Sequence, residues 1–202
     1  MSSTTAPRTR VSAGERRELV LRAAAQLFGQ HGYAGTRLDD VAAAAHVTKP
    51  IVYRHFESKK ALYLALLAKH EADMPAFFRD LDVDAGHPPE QVLRTILEHW
   101  LDYVRDNSHA WLMLFRDSSG DDEIRAYRRE VSARARELLA GFVAAQPAVQ
   151  IPPEQVEPTA ELLRSGLAGL ALWWIDNPDV PKDVVTDVAV RLSAASVGWA
   201  PS

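Results

Sequence analysis

Residues 36–59 read TRLDDVAAAAHVTKPIVYRHFESK. Leu38, Val41, Ala42 and Ala45 recur at helical spacing and predict a short helix with one apolar face. Val47, Ile51 and Val52 give a second short helix its apolar side, with Thr48 in position to cap it and Pro50 tolerated in its first turn. Small Ala42 lets the two helices cross closely. Such a pair, joined by a short turn, is a helix-turn-helix or a hairpin inside a helical bundle. The residues left facing outward on the second helix are Thr48, Lys49, Pro50, Tyr53, Arg54 and His55. They are hydrogen-bonding, cationic or aromatic, as a helix entering the major groove requires. Lys59 and Lys60 follow at the start of the next helix, whose N-terminus already favours an anion.

Outward from this stretch the period stays helical. Ser12-Ala13-Gly14-Glu15 is a capping box, and Val20, Ala23, Ala24, Leu27 and Phe28 form the apolar face of the helix it opens, which stops at His31-Gly32. Thr36-Arg37-Leu38-Asp39 is a second cap signature, and Ser58 caps a fourth helix in which Pro75 is an end, a kink or a new start. Further helices read as roughly 89–106, 109–117, 121–145, 154–176 and 181–197. The expected architecture is all-α, about nine helices: an arm at 1–11, a helix-turn-helix unit at 12–57, and a larger helical body at 58–202.

The 202 residues carry a net charge of −4 and no cysteine. The absence of cysteine removes disulfides, thiolate metal sites and a cysteine nucleophile. The average charge hides a segregation: residues 1–70 hold 11 Lys and Arg against 5 Asp and Glu, a balance of +6, and the rest carries −10. A basic end on an acidic body is the footprint of a chain that meets phosphate at one end. No apolar run approaches the ~20 residues of a membrane span, and Met1–Thr9 lacks the apolar core of a secretory signal, so the expected compartment is the cytoplasm. No phosphate-binding glycine loop, metal spacing or catalytic constellation is present, so no cofactor, no metal and no enzymatic activity are expected.

Gly32-Tyr33, Thr36, Leu38 through Val47, Thr48-Lys49-Pro50-Ile51-Val52-Tyr53-Arg54-His55-Phe56 and Ser58-Lys59 resemble, in one register without gaps over about residues 15–62, the DNA-binding domain of the TetR (tetracycline repressor) family. The chain departs from that pattern at Arg37, where the family usually has Ser or Thr, and at His46, in place of the turn glycine. The resemblance implies that Thr36 and Arg37 meet the DNA backbone, that Thr48, Lys49 and Pro50 lie at the groove end of the recognition helix, and that Tyr53, His55 and Lys59 contact phosphate. Lys49 meets either a guanine edge or a phosphate. Asp39 and Asp40 are unfavourable near phosphate and are expected to cap the second helix or pair with Arg. Arg8 and Arg10 of the arm reach DNA or do nothing.

In the body, Trp100, Tyr103, Trp111 and Phe115, with Tyr127 and Trp174, are candidates to line an effector cavity or to form ordinary core. Leu162, Gly166, Gly169, Leu170 and Trp173 on one helix and Val185, Val188 and Leu192 on the next are candidates for a dimer interface, where glycines permit close approach, or for packing within one chain. The function implied is a homodimeric regulator, most often a repressor, released from a palindromic operator by a small effector. An activator or effector-independent regulator is the alternative, followed by a helical ligand carrier or an enzyme.

Overall fold

The computed structural model describes residues 12–79, 87–116, 120–145 and 151–198, the side chains of 74–79 excepted. Among them run nine helices: α1 Ala13–Gly35, α2 Leu38–Ala44, α3 Lys49–His55, α4 Lys59–Arg79, α5 Pro89–Asp106, α6 Ser108–Phe115, α7 Asp122–Ala145, α8 Val156–Asp176 and α9 Lys182–Ser196, with one 3-10 turn at Pro153–Gln155. The arm with Arg8 and Arg10, most of the expected loop at 82–88, Asp117 and Trp199 lie outside the described residues.

Local chemistry sets the boundaries. Ser12 and Glu15 form both halves of the capping box, Ser12 Oγ accepting from the Glu15 amide at 3.1 Å and Glu15 Oε2 from the Ser12 amide at 2.6 Å. Gly32 takes φ 69°, which breaks α1 where the sequence places its stop, although three more helical residues follow. Ser58 Oγ accepts from the Ala61 amide at 3.0 Å. α4 then passes Pro75 and continues to Arg79. Pro158 falls in the first turn of α8, where its missing N–H costs nothing.

Two apolar clusters organise the chain. The first is built by α1 to α4, with Val20, Ala24, Phe28, Val41, Val52, Leu62, Tyr63 and Leu67 almost fully enclosed, and it takes in Met113 of α6 and Ile124 of α7. The second joins α5, α6, α8 and α9 through Leu101, Val104, Trp111, Ala171, Val185 and Ala189. α6 therefore serves both clusters, with Met113 in one and Trp111 in the other. α1 lies against α6 so closely that a Cβ on Gly29 would stand 2.9 Å from His109 Cβ.

Candidate nucleic-acid interface

α2 and α3 meet through buried Leu38, Val41, Ala42, Ala45 and Val52. The turn between them is closed by the His46 amide donating to Ala43 O at 3.1 Å and the Val47 amide to Ala42 O at 3.0 Å. His46 holds φ 53°, the one positive-φ residue other than glycine among the described residues. Histidine accepts this left-handed conformation at a cost of about 1–2 kcal/mol, so the departure from glycine keeps the turn. Val52 anchors α3 from beneath, and Lys49, Pro50, Tyr53 and Arg54 are left exposed.

Of these, Lys49 and Tyr53 open onto a shallow groove of about 420 Å³ lined also by Thr36, Arg37, Leu38, Asp39, Glu57, Ser58 and Lys59. Lys49 Nζ lies 2.7 Å from Asp39 Oδ1, and Arg37 Nη2 lies 3.9 Å from Asp39 Oδ2. The bond from Lys49 holds the Asp39 carboxyl below its ordinary range and in turn raises the lysine. Asp39, expected to cap or to pair with arginine, thus pairs chiefly with the lysine that is the candidate base reader. His55 is half-buried against the ring of Phe56.

Three expectations at this site are corrected. Thr36 is 2% exposed, and its hydroxyl donates to Leu27 O at 3.1 Å and Gly32 O at 2.9 Å, so it closes the exit of α1 and does not reach toward a phosphate. Lys59 is turned inward, Nζ donating to Tyr33 O at 2.8 Å and Thr36 O at 3.0 Å over the face of the Tyr33 ring. Carbonyls at a helix end lack partners within the helix, and the ammonium supplies one. Thr48 stands at the N-cap of α3 but makes no side-chain cap bond, and neither does Arg37 at that of α2.

The candidate cavity residues separate. Trp100 and Trp111 meet edge to face at 5.6 Å, Phe115 stacks on Trp111 at 4.9 Å, and Trp174 donates its indole N–H to Val180 O at 2.9 Å. Trp100, Trp111 and Trp174 are core of the second cluster, whereas Tyr127 packs on the first. The candidates are therefore divided between the two clusters. Tyr127 engages the middle of α4, and Asp73 of α4 acts electrostatically on Tyr103. Burial and the nearby Asp73 push the Tyr103 hydroxyl up to about 12. The Tyr127 hydroxyl, raised by burial and by Glu71, donates to Glu71 Oε2 at 2.6 Å, and Arg134 also pairs with Glu71. Sequence reasoning did not single out these partners on α4, because their convergence with α5 and α7 is set by packing alone.

The dimer candidates divide as well. Leu162, Trp173 and Val188 are 56%, 48% and 40% exposed, with Val184 beside them, and Gly169 has open space beyond its α-carbon. Val185 is 1% exposed and belongs to the second cluster, on which Leu170 also packs. A Cβ on Gly166 would meet Leu192 Cδ2 at 3.0 Å, so those two seat α8 on α9 within one chain. Val185 is thus internal packing, and Leu170, Gly166 and Leu192 make contacts within the chain as well.

Residues 20–66 match the family described as bacterial regulatory proteins, tetR family, and residues 89–196 match the tetracyclin repressor-like C-terminal domain. The transcriptional activator FasR of Mycolicibacterium smegmatis is 23% identical over 198 residues, 95% of this chain and 87% of that protein. Other relatives are matched over 44% or 45% of their own length, so the chain spans less than half of them. A TetR-like regulator from Rhodococcus sp. RHA1 superposes with a TM-score of 0.74 at 24% identity, over 94% of this chain and 99% of that one. AibR, solved with isovaleryl coenzyme A and operator DNA, superposes with a TM-score of 0.66 at 22% identity, over 87% and 96%. With both halves matched in order and the helix-turn-helix built as described, the chain belongs to the TetR family and is a DNA-binding transcriptional regulator.

Proposed function

We propose that this chain is a homodimeric repressor that holds a two-fold symmetric operator through α3 and lets go when a small molecule binds the body. The observation that carries the reading is the outward face of α3, where Lys49, Tyr53 and Arg54 stand exposed on a helix fixed from beneath by fully buried Val52 and Val41. Arg37, Thr48, Pro50 and His55 flank that face and are its remaining contact candidates. A head at 12–57 reads DNA, and a body at 58–202 senses and dimerises. A single such head covers too few base pairs for a unique site, and a two-fold axis doubles it. Leu162, Gly169, Trp173, Val184 and Val188 on the outer side of α8 and α9 supply the apolar patch that a second copy would cover.

The release mechanism follows from how α4 is tied. Tyr63 on α4 donates its hydroxyl to Met113 O of α6 at 2.9 Å, Arg128 of α7 donates to both, and Lys60 pairs with Glu123 of α7 at 2.6 Å. An effector that favours a different seating of α6 and α7 therefore carries α4, and with it the first cluster, so the two recognition helices lose the spacing of about 34–36 Å set by consecutive major grooves. The Tyr127–Glu71 contact on α4 is where such a ligand would act.

The test is fluorescence anisotropy with duplex DNA flanking the chain's own gene, followed by titration of candidate effectors. Acyl-coenzyme A thioesters come first, because AibR holds one within the same fold. Salt-dependent binding reversed by a ligand supports the reading, and a ligand that binds tightly without releasing DNA refutes the coupling. An activator is the second reading, favoured by FasR, whose match runs over 95% of this chain. A reporter fused to the bound promoter separates the two by the sign of the response.

A further inference from the structure

We propose that Asp39 is a specificity-determining residue, and that its carboxylate and the Lys49 ammonium read one base pair together as a single donor–acceptor unit. The inference rests on the DNA-binding reading above. Asp39 lies in the first turn of α2 and Lys49 opens α3, so the pair bridges the two helices at the end of α3 that enters a groove first. Both side chains stay about half exposed, at 46% and 52%, and both line the open groove. An exposed ion pair of this kind contributes little to stability. Its larger consequence is the chemistry it presents to DNA.

Lys49 Nζ and Asp39 Oδ1 are 2.7 Å apart. On the major-groove edge of a G·C pair, guanine O6 accepts and cytosine N4–H donates. These two atoms hydrogen-bond to each other, so they stand about 2.9 Å apart. A donor and an acceptor held at that spacing can meet both at once, the ammonium at O6 and the carboxylate at N4–H. Guanine N7 gives the ammonium a second acceptor. In the reversed C·G pair the carboxylate would face O6 and the ammonium an amino group, both repulsive. A lone lysine lacks that second penalty. The carboxylate also holds the ammonium away from phosphate, and the 3.9 Å approach of Arg37 leaves it a net neutral to basic neighbourhood.

Binding-site selection from a random duplex library, run on the full chain and on Asp39→Ala, Asp39→Asn and Lys49→Met, tests this. Circular dichroism confirms that each variant is folded. The natural chain is expected to favour G·C over C·G by about tenfold or more at one position of each half-site. Asp39→Ala and Asp39→Asn are expected to reduce that ratio to about threefold or less while tightening binding to unrelated DNA and steepening the salt slope by about one, as Lys49 turns to phosphate. The double variant Asp39→Ala/Lys49→Met should read that position no differently from Lys49→Met alone. Base preferences unchanged at every position in both Asp39 variants would overturn the assignment, as would a natural site with no such orientation preference. A natural chain that binds no duplex fails at the earlier reading, and is told apart by the absence of any selected site.

Discussion

Lys59→Met removes the ammonium and keeps the aliphatic stem, and it separates a structural lysine from a phosphate-binding one. In the structure Nζ donates to two carbonyls, at 2.8 Å to Tyr33 and 3.0 Å to Thr36, and sits 4.5 Å from the centre of the Tyr33 ring. Hydrogen bonds to a charged group are worth about 1.5–3 kcal/mol each. The carbonyls lie at a partly buried helix exit and regain some water when the ammonium is gone, so each bond is taken at or below the lower limit. The cation–ring contact adds about 0.5–1 kcal/mol. The expected loss is about 2–3 kcal/mol, or a fall in midpoint of about 5–10 °C for a chain of this size. Thermal unfolding at a fixed protein concentration measures it, because a dimer's midpoint moves with concentration. The salt dependence of DNA binding, measured on the same preparation, should keep its slope. An unchanged midpoint together with a slope reduced by about one would refute the reasoning and return the ammonium to a phosphate.

Gly29→Ala places a methyl 2.9 Å from His109 Cβ and 3.0 Å from His109 Cα, atoms that cannot swing aside. Overpacking of about 1–3 kcal/mol outweighs the ~1 kcal/mol gain in helix propensity, so urea unfolding should show a net loss of up to about 2 kcal/mol, and a stabilised variant would disprove the close packing of α1 on α6. Trp173→Glu should convert a species of about twice 22.4 kDa in sedimentation to the single mass with helicity retained, whereas Val185→Ala should leave the assembly and lower stability instead; a Trp173→Glu dimer would remove α8 from the interface. The Glu161 carboxyl is held down to about 2 by hydrogen bonds from Arg164 and Ser165. A depressed carboxyl stabilises the fold above its unfolded pKa of about 4.3, and that stability is lost as pH falls from there through about 2. Solvent screening limits the effect to under about 1 kcal/mol, and Glu161→Gln should flatten this part of the acid-unfolding curve; an identical curve for the two chains would show that the pair contributes nothing.

The helices were legible because each carries its own signal. Helical spacing of apolar residues, the Ser12–Glu15 box and the proline-containing first turn of α3 act within a few residues, and the structure places those elements within a few positions of their expected bounds. The outward face of α3 was legible for the same reason, since one turn of helix suffices to sort Val52 inward from Lys49 and Tyr53 outward. Thr36 and Lys59 were not. Their side-chain types suit a phosphate equally well, and only the path of α1 past Gly32 brings Leu27, Gly32 and Tyr33 carbonyls within their reach.

The sequence by itself determined an all-helical chain with a basic reading head and an acidic body, because periodicity, capping and charge are properties of neighbours along the chain. Tertiary structure alone decided which side of each long helix is covered. It sent Val185 inward and Trp173 outward on adjoining helices, drew Trp100, Trp111 and Trp174 into one core and Tyr127 into another, and set Asp39 against Lys49. Those outcomes depend on contacts between residues far apart in sequence, where an apolar helix face or a charge has several acceptable partners and only the close packing of the whole chain selects one.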